Sequence, residues 1–330
     1  MTFLVTGATG FVGAALARRL IATGRKVRAL VRPSSPRRNL RGLDAEIVTG
    51  DLTDRDSVRR AMDGCSGAFH VAADYRLWTR DPKSMFAANV DGTLNVMRAA
   101  IESGVERTVY TSSVATLGIN PDGTASDEDT PVDFGAMIGP YKQSKFLAEA
   151  EVRRMIREEG LKAVIVNPST PIGPGDVKPT PTGRMIVEAA AGRMPAYVDT
   201  GLNIVHVDDV AVGHILAFDR GVLGERYVLG GRNMTLREIL ETIAQIVGRR
   251  PPTIQLPHGL LLPVAVVAEA WTRLTGGSEP FITIDGLKMS RKKMFFSSAK
   301  AERDLGYTAR PPRRAIEDAI AWFRAEGYLA

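Results

Sequence analysis

A glycine-rich turn at the start of the chain constrains its fold more than any other feature of the sequence. Residues 2–6 form a short apolar run, and residues 14–21 have a helical pattern. Between them lie Gly7, Gly10 and Gly13, evenly spaced. A strand, a glycine turn and a helix in this order leave free backbone N–H groups at a helix N-terminus, where a pyrophosphate binds well. The sequence therefore predicts a dinucleotide site here.

Each glycine of this turn has its own predicted role. Gly7 makes the tight turn, Gly10 lets the backbone approach the phosphates, and Gly13 lets the helix pack closely against the strand. The residues of the turn that we expect to contact the dinucleotide are Gly7, Thr9, Gly10, Phe11, Val12 and Gly13.

The residue after the second predicted strand, at 26–31, selects the cofactor. A carboxylate there would bind the ribose 2′-hydroxyl of NAD, whereas an arginine accommodates the 2′-phosphate of NADP. This chain has Arg32, and three more arginines precede the next carboxylate, Asp44. The sequence thus favours NADP(H), with NAD(H) possible, over the alternative of a merely solvated basic loop.

Composition limits the class of protein. The chain has 330 residues, 44% of them hydrophobic, which is enough for one large or two ordinary domains. Its one cysteine, Cys65, excludes an internal disulfide and favours a reducing compartment. The first strand leaves no room for a signal peptide, and no apolar run is long enough to span a membrane. We therefore expect a cytoplasmic protein. Its net charge of +6 is dispersed, which argues against nucleic-acid binding.

Strands and helices alternate through the first half of the chain. This alternation predicts an α/β fold with a doubly wound parallel sheet, whose ligands bind beyond the carboxyl ends of the strands. Further strands are predicted at 45–49, 67–73 and 107–111, and helices at 57–62 and 83–103. The residues that fall at the carboxyl ends are Gly10, Arg32, Asp51, Ala73 and Ser113.

A tyrosine and a lysine one helical turn apart carry the predicted chemistry. Tyr141 and Lys145 follow Pro140 in a helical segment, so they share one face. A nearby ammonium stabilises a phenolate and lowers its pKa, as a general acid or base requires. Ser113, in a hydroxyl cluster at a strand end, can hydrogen-bond a substrate oxygen.

These motifs resemble the extended short-chain dehydrogenases/reductases, the NAD-dependent epimerase/dehydratase superfamily. The resemblance covers essentially the whole chain. Within it, residues 31–32 and 111–113 resemble the dihydroflavonol 4-reductase-like branch. Longer stretches, at 72–78, 167–174 and 194–201, resemble a bacterial group called hopanoid-associated sugar epimerases.

The resemblance implies a role for each matching residue. Tyr141 is the acid/base, Lys145 binds the nicotinamide ribose, and Ser113 rather than Ser112 orients the substrate. Asp51 and Leu52 are implied to contact the adenine. Ala72 and Ala73 are implied to lie beside the ribose and pyrophosphate, and Pro168 to pack on the nicotinamide.

The sequence identifies the residues that contact the substrate less clearly than those that contact the cofactor. Asn167 matches an asparagine that holds a sugar-nucleotide diphosphate in related epimerases, but the arginines that complete such a site have no counterpart. Trp78 lies where family members build the substrate pocket, and a packing role fits it equally well. The resemblance further implies a homodimer, with a dinucleotide domain at 1–167 completed by strands near 203–230, and a mainly substrate-binding domain at 168–330.

Other residues have structural explanations. The four histidines are scattered, so no metal site is predicted, and His70 and His206 are expected in the strand framework. Asp208 is expected to cap the helix that follows it, and Thr235 with Glu238 to form a capping box.

Residues 256–274 are apolar around nearly every face of a predicted helix. One interpretation is a helix buried in the smaller domain. The other is the wall of a lipophilic pocket, or a contact with a membrane surface, which a lipid-linked substrate would suit.

Three functional classes remain open at this point. The first is an NADPH-dependent reductase of an aldehyde or ketone, and the second is an epimerase that oxidises a sugar alcohol transiently. The third is a non-catalytic NADP sensor, which the intact catalytic residues disfavour. Arg32 favours the reductase, since epimerases regenerate their cofactor and commonly hold NAD.

Overall fold

The computed structural model describes residues 1–275, 280 and 282–329, with Arg273 described by its backbone alone. The strands are β1 (Thr2–Thr6), β2 (Lys26–Val31), β3 (Ala45–Thr49), β4 (Gly67–His70), β5 (Arg107–Thr111), β6 (Ala163–Pro168), β7 (Thr170–Ile172), β8 (Ala196–Tyr197), β9 (Gly201–His206), β10 (Arg226–Leu229), β11 (Arg232–Thr235), β12 (Ile254–Gln255) and β13 (Lys293–Met294). The helices are α1 (Phe11–Ala22), α2 (Arg55–Met62), α3 (Pro82–Phe86), α4 (Gly92–Glu102), α5 (Gly139–Glu158), α6 (Pro181–Ala190), α7 (Val207–Arg220), α8 (Leu236–Val247), α9 (His258–Thr275), α10 (Ile284–Ser290), α11 (Ala299–Leu305) and α12 (Pro312–Ala325).

A seven-stranded parallel sheet confirms the predicted α/β fold. Its strand order is β10-β6-β5-β4-β1-β2-β3, so the chain winds outward in both directions from the centre. Strands β2, β3 and β5 have the predicted bounds. Strand β4 ends earlier than predicted, at His70, because the next N–H groups, of Val71 and Ala72, donate to the Thr6 hydroxyl.

The sheet is buried on both faces, and its central strand shows how. In β1, Phe3 and Val5 point into one apolar cluster, which contains side chains of α1 and α7. Leu4 points to the opposite face, into a cluster formed with α2, α4 and α5. Alternate side chains of one strand thus pack against two helical layers, as a doubly wound sheet requires.

A smaller region follows the sixth strand. In it, β9 pairs with β7, β11 and β13, and helices α6, α8 and α12 enclose an apolar cluster of their own. The chain returns to the large sheet through β10, which pairs with β6. The late strand near 226–229 therefore completes the large sheet, while β9 belongs to the smaller one.

The helix predicted at 83–103 is present in three parts. Helices α3 and α4 are joined by a wider turn at Ala87–Asp91, a π-type insertion that sequence periodicity does not reveal. Such insertions often occur at functional sites.

Two helix starts test the predicted caps. The Thr235–Glu238 capping box at α8 is confirmed in both directions. The prediction for Asp208 is wrong, because His206 caps α7: its Nδ1 accepts the N–H of Asp208 at 3.0 Å. Asp208 lies in the first turn of that helix.

Candidate active site

The turn between β1 and α1 has the shape that the glycine spacing predicts. Gly7 has a φ of 72°, and a Cβ on it would lie 2.7 Å from the backbone nitrogen of Ala72. A Cβ on Gly13 would lie 2.2 Å from the carbonyl oxygen of Gly7. Side chains at either position would therefore close the cradle.

The N-terminus of α1 is free to bind an anion. Gly10 precedes the helix with no side-chain cap, and the first turn holds no acidic residue. Phe11 is buried in the core, so it can reach a ligand only through its backbone. A cradle of this shape, with uncapped N–H groups, fits a pyrophosphate. When bound, a nicotinamide dinucleotide would supply or accept a hydride here.

Asn39, which sequence reasoning missed, holds this turn from outside. Its amide donates to the carbonyls of Thr9 at 3.2 Å and Gly175 at 3.0 Å. It thereby joins the loop after β2 to the glycine turn and to the smaller region. No local pattern signals this, because the partners are distant in sequence.

The predicted adenosine end of the site lies at the adjacent strand ends. Arg32 is exposed directly after β2, and Asp51 and Leu52 are half-buried after β3. Partial burial raises the pKa of Asp51, but hydrogen bonds from Thr53 and the charge of Arg32 outweigh it and lower that pKa overall. Asp51 and Arg32 are therefore close enough to interact.

Ser113, Tyr141 and Lys145 converge beyond the carboxyl end of β5. Tyr141 and Lys145 lie one turn apart on α5, as predicted, and Ser113 follows β5. Burial raises the pKa of Tyr141, while a hydrogen bond with Ser113 lowers it in part. Ser112 is buried, and its hydroxyl lies beside that of Thr116. The serine that meets the tyrosine is thus the predicted one.

The ammonium of Lys145 donates hydrogen bonds to two residues of β5. Its Nζ donates to the hydroxyl of Tyr110 at 3.0 Å and to the carbonyl of Thr111 at 2.8 Å. Burial lowers the pKa of Lys145 to about 7, although the nearby Glu149 carboxylate opposes this shift. The prediction that the pKa of Tyr141 is lowered was wrong for this structure, because burial of the phenol outweighs the other influences.

His70 belongs to the framework under the site, as predicted. Its ring nitrogens lie 2.8 Å from the Thr6 hydroxyl and 2.9 Å from the Thr93 hydroxyl, and the ring stacks on Tyr110. Burial, followed by the charge of Lys145, lowers the pKa of His70 to about 3. A neutral imidazole here supports Tyr110 and, through it, Lys145.

Asn89, in the π-type turn, is a second residue that sequence reasoning did not assign. Its amide donates to the carbonyl of Asp74 and to the hydroxyl of Ser144, each at 2.9 Å, and its Oδ1 accepts the N–H of Asp74. Asn89 therefore fastens the segment that contains Ala72, Ala73 and Trp78 to the catalytic helix. The π-type turn at Ala87–Asp91 is the feature that points to Asn89, and it is visible only in the structure.

The substrate role predicted for Asn167 is wrong. Asn167 is fully buried in β6, and its amide donates to the carbonyl of Ser113 at 3.0 Å and to Glu149 Oε2 at 3.0 Å. Glu149 also accepts from Thr116 and pairs with Arg226. These partners occupy the amide nitrogen, and the buried Oδ1, which has no hydrogen-bond partner among the described residues, cannot donate to a phosphate. Asn167 therefore positions Ser113 instead of reaching a diphosphate.

The remaining predicted contacts differ in exposure. Pro168 ends β6 and is buried, and Ala72 and Ala73 are half-buried beside the glycine turn. Trp78 is half-buried, with the Arg80 guanidinium 5.8 Å from its ring centre. Arg80 in turn donates to the carbonyl of Thr272 in α9 at 2.7 Å. The Trp78 segment thus adjoins α9.

Comparison with known proteins establishes the family. Residues 3–230 match the NAD dependent epimerase/dehydratase family. The chain therefore belongs to this family of extended short-chain dehydrogenases/reductases, whose members are NAD(P)-dependent oxidoreductases or epimerases.

Individual relatives confirm the dihydroflavonol reductase-like branch and the fold. The protein named "Putative dihydroflavonol 4-reductase" from Synechocystis sp. is 46% identical over 99% of this chain and 96% of its own length. Sterol demethylase protein B from Methylococcus capsulatus is 36% identical over the whole of both chains. The crystal structure of gox2253 superposes with a TM-score of 0.90 at 55% identity, covering 100% of this chain and 99% of that one.

Proposed function

We propose that the protein is an NADP(H)-dependent carbonyl reductase acting on an aldehyde or ketone. The observation that carries this proposal is the convergence of Ser113, Tyr141 and Lys145 beside the nucleotide cradle, with Arg32 at the end of β2. When bound there, reduced NADP would supply the hydride for the carbonyl carbon. The carbonyl group would belong to a polyol-like or sugar-like compound or to a lipid-linked compound.

The site residues divide the work of the reduction. Ser113 hydrogen-bonds the carbonyl oxygen and aligns it with the tyrosine. Tyr141 donates its phenolic proton to that oxygen. Burial raises the pKa of Tyr141, so its phenol is protonated at neutral pH and can act as the proton donor. Lys145 binds the nicotinamide ribose and stabilises the phenolate that remains.

A sugar-nucleotide epimerase is the alternative within the family, and two features disfavour it. Asn167, the expected diphosphate contact, is engaged with Ser113 and Glu149. Arg32 at the end of β2 also favours NADP(H), which suits a net reduction better than an epimerase that regenerates its cofactor. A non-catalytic sensor is disfavoured as well, because it would have no need for the converging triad.

Two assays on the purified protein distinguish these functions. We expect the protein to oxidise one NADPH for each carbonyl group reduced when it is assayed with a panel of aldehydes and ketones. The loss of absorbance at 340 nm measures this oxidation. We also expect the nucleotide released on denaturation to be NADP(H). Tightly retained NAD, together with interconversion of sugar epimers without net cofactor oxidation, would contradict the proposal and favour the epimerase.

We further propose that α9 docks on an anionic membrane surface. The prediction of a buried helix was wrong, because most large apolar side chains of α9 are exposed. Five of them lie along one stripe, and Leu262 and Val266 are exposed beside it. The exposed fractions in the stripe are 65% for Leu260, 51% for Val264, 68% for Val267, 68% for Trp271 and 84% for Leu274. An exposed stripe of this kind indicates an interaction surface.

The charges around the stripe favour an anionic lipid surface as its partner. The one acidic side chain described in α9, Glu269, is buried and accepts the N–H of Ile284. Helix α10 packs against α9. Lys288 on α10 is exposed and pairs with Asp285 at 3.5 Å, and Arg291 is exposed directly after α10. A tryptophan on an exposed apolar helix, with basic residues on the adjoining segment, suits a helix that lies in a membrane interface. Among the described residues, no helix is long and apolar enough to cross a bilayer.

Sedimentation with vesicles tests this surface. The double variant Val267→Ser/Trp271→Ser should lose at least about tenfold in affinity for vesicles of phosphatidylcholine with phosphatidylglycerol, since two large apolar contacts are removed. The matched control is Val222→Ser/Leu223→Ser, which alters two exposed apolar residues elsewhere. Phosphatidylcholine alone should bind the wild type more weakly.

Two results would overturn membrane docking. One is equal vesicle binding by the α9 variant and the wild type, or none by either. The other is a change of oligomeric state in the α9 variant, measured by light scattering, since a second copy of the chain would then cover the stripe.

A homodimer and a cytoplasmic location stay predictions. Light scattering of the wild type tests the prediction of a homodimer.

A further inference from the structure

Glu149 is a buried carboxylate on the catalytic helix α5, one turn after Lys145, with an exposed fraction of 4%. Its Oε2 accepts the Thr116 hydroxyl at 2.8 Å and the Asn167 amide at 3.0 Å. Its Oε1 accepts from the Arg226 guanidinium at 3.2 Å. A buried charge is costly unless it is paired and hydrogen-bonded, and these three donors meet that requirement.

The amide of Asn167 faces three oxygens with its nitrogen. Its Nδ2 lies 3.0 Å from both the Ser113 carbonyl oxygen and Glu149 Oε2, and 3.2 Å from the Thr116 hydroxyl oxygen. Its Oδ1 has no hydrogen-bond partner among the described residues. If the amide turned over, this Oδ1 would meet a carbonyl and a carboxylate, neither of which can donate. These two oxygens therefore fix the orientation of the amide, and Glu149 supplies the charged one.

The backbone of Ser113 is thereby held in the orientation that its hydroxyl needs. Ser113 begins a short turn, in which its Oγ accepts the N–H of Ala115 at 3.1 Å. The Thr116 hydroxyl lies 2.8 Å from the Ser113 carbonyl oxygen in the same turn. An Oγ that accepts this N–H keeps its own hydrogen for Tyr141 or for a substrate oxygen. Catalysis depends on this alignment to within about 1 Å.

Arg226 holds the carboxylate from the other side. It lies on β10, the edge strand that pairs with β6. Its guanidinium also donates to the carbonyl of Glu128, whose carboxylate accepts the N–H of Val228 at 2.6 Å. Glu149 therefore joins β10 and β6 to the turn that follows β5.

From these contacts we infer that Glu149 is a positioning residue for the reduction: its carboxylate fixes the Asn167 amide, which in turn holds the Ser113 backbone. Ser113 is thereby aligned with Tyr141 and with the carbonyl oxygen of the substrate. The inference rests on the proposed function. Glu149 itself makes no hydrogen bond or ion pair with Tyr141 or Lys145, so it acts through other residues.

Turnover of two glutamine variants tests the role of the Glu149 oxygen. In Glu149→Gln the charged Arg226 should take the new amide oxygen and turn the amide nitrogen toward Asn167, so kcat should fall at least about tenfold. In Glu149→Gln/Arg226→Met the oxygen can turn back to Asn167, and most of the loss should be recovered. The charge of Glu149 partly opposes the effect of burial on the pKa of Lys145. Both variants lack this charge, so it cannot account for the recovery.

The same two variants in a Ser113→Ala background show whether Glu149 acts through Ser113. There their kcat values should differ by less than about twofold, because residues that act through one another have non-additive effects. The matched control is Glu158→Gln, the same substitution at an exposed position of α5 that pairs with Arg154 at 3.3 Å. Its kcat should stay near that of the wild type. An unchanged kcat in Glu149→Gln, or equal losses with and without Ser113, would overturn the inference.

Hydrogen exchange measured by mass spectrometry reports on the same turn without turnover. In Glu149→Gln, exchange over residues 113–117 should be at least about threefold faster than in the wild type, and it should slow again in the double variant. Unchanged exchange there would also overturn the inference. The expected exchange pattern in a protein that reduces no carbonyl compound would count against the proposed function alone.

A neutral variant keeps the inference testable if Glu149→Gln does not fold. Thr116→Val removes the hydroxyl that lies between Glu149 and the Ser113 carbonyl and leaves every charge in place. Its kcat should fall at least about threefold, and Thr116→Ser, which keeps the hydroxyl, should retain the activity that Thr116→Val loses. Equal kcat values in these two variants would then contradict the positioning role.

Discussion

Tyr141→Phe is expected to lower kcat for carbonyl reduction by about 10²- to 10⁴-fold, because it removes the proton donor. Binding of NADPH should survive, since the change deletes one hydroxyl and leaves the cradle of Gly7, Gly10 and Gly13 intact. Stopped-flow measurement of NADPH oxidation gives the first quantity, and fluorescence titration of NADPH gives the second.

Two further variants make this result specific. Lys145→Met should impair both turnover and nucleotide binding, because the lysine is expected to hold the nicotinamide ribose. Tyr307→Phe removes another buried tyrosine hydroxyl, which donates to the Gly230 carbonyl at 2.9 Å and makes no hydrogen bond to Ser113, Tyr141 or Lys145. Its kcat should stay near that of the wild type. Substantial activity in Tyr141→Phe would refute the assigned mechanism.

Arg32→Asp is expected to weaken binding of NADP(H) by at least about tenfold and to leave NAD(H) binding equal or better. A guanidinium can bind the 2′-phosphate through two hydrogen bonds. Charge-assisted hydrogen bonds contribute about 1.5–3 kcal/mol, and 1.4 kcal/mol corresponds to a factor of ten. Titration of both nucleotides against wild type and variant measures the change in preference.

Arg37→Asp is the matched control for cofactor choice. Arg37 is exposed in the same basic loop but, unlike Arg32, does not directly follow β2. An equal loss of NADP(H) affinity in both variants would mean that the loop acts only through its general charge. A wild type that prefers NADH would remove the main support for the NADPH-dependent reductase.

The sequence predicted those parts of the site that depend on local geometry. Glycine spacing gave the cradle, and the helical spacing of Tyr141 and Lys145 placed both on one face of α5. Strand ends brought Arg32, Asp51 and Ser113 to one edge, since parallel strands share their direction. These features depend on neighbours in the chain or on the sheet as a whole.

The parts that could not be predicted depend on distant partners. Asn39 and Asn89 act through residues far away in the chain or through an inserted turn. Asn167 has the residue type of a ligand contact, yet Glu149, which no motif connects to it, occupies its amide. Burial raises the pKa of Tyr141, and the exposed stripe of α9 depends on which face the neighbouring elements cover.

Transfer of deuterium from cofactor to product tests the central claim most directly. Enzyme, a carbonyl substrate from the panel and NADPH labelled with deuterium at both positions of nicotinamide C4 are combined, and the product is analysed by mass spectrometry. A reductase should yield an alcohol with one deuterium at the former carbonyl carbon and an equal amount of NADP⁺. Product without label, or sugar epimers formed while the cofactor stays reduced, would contradict the account.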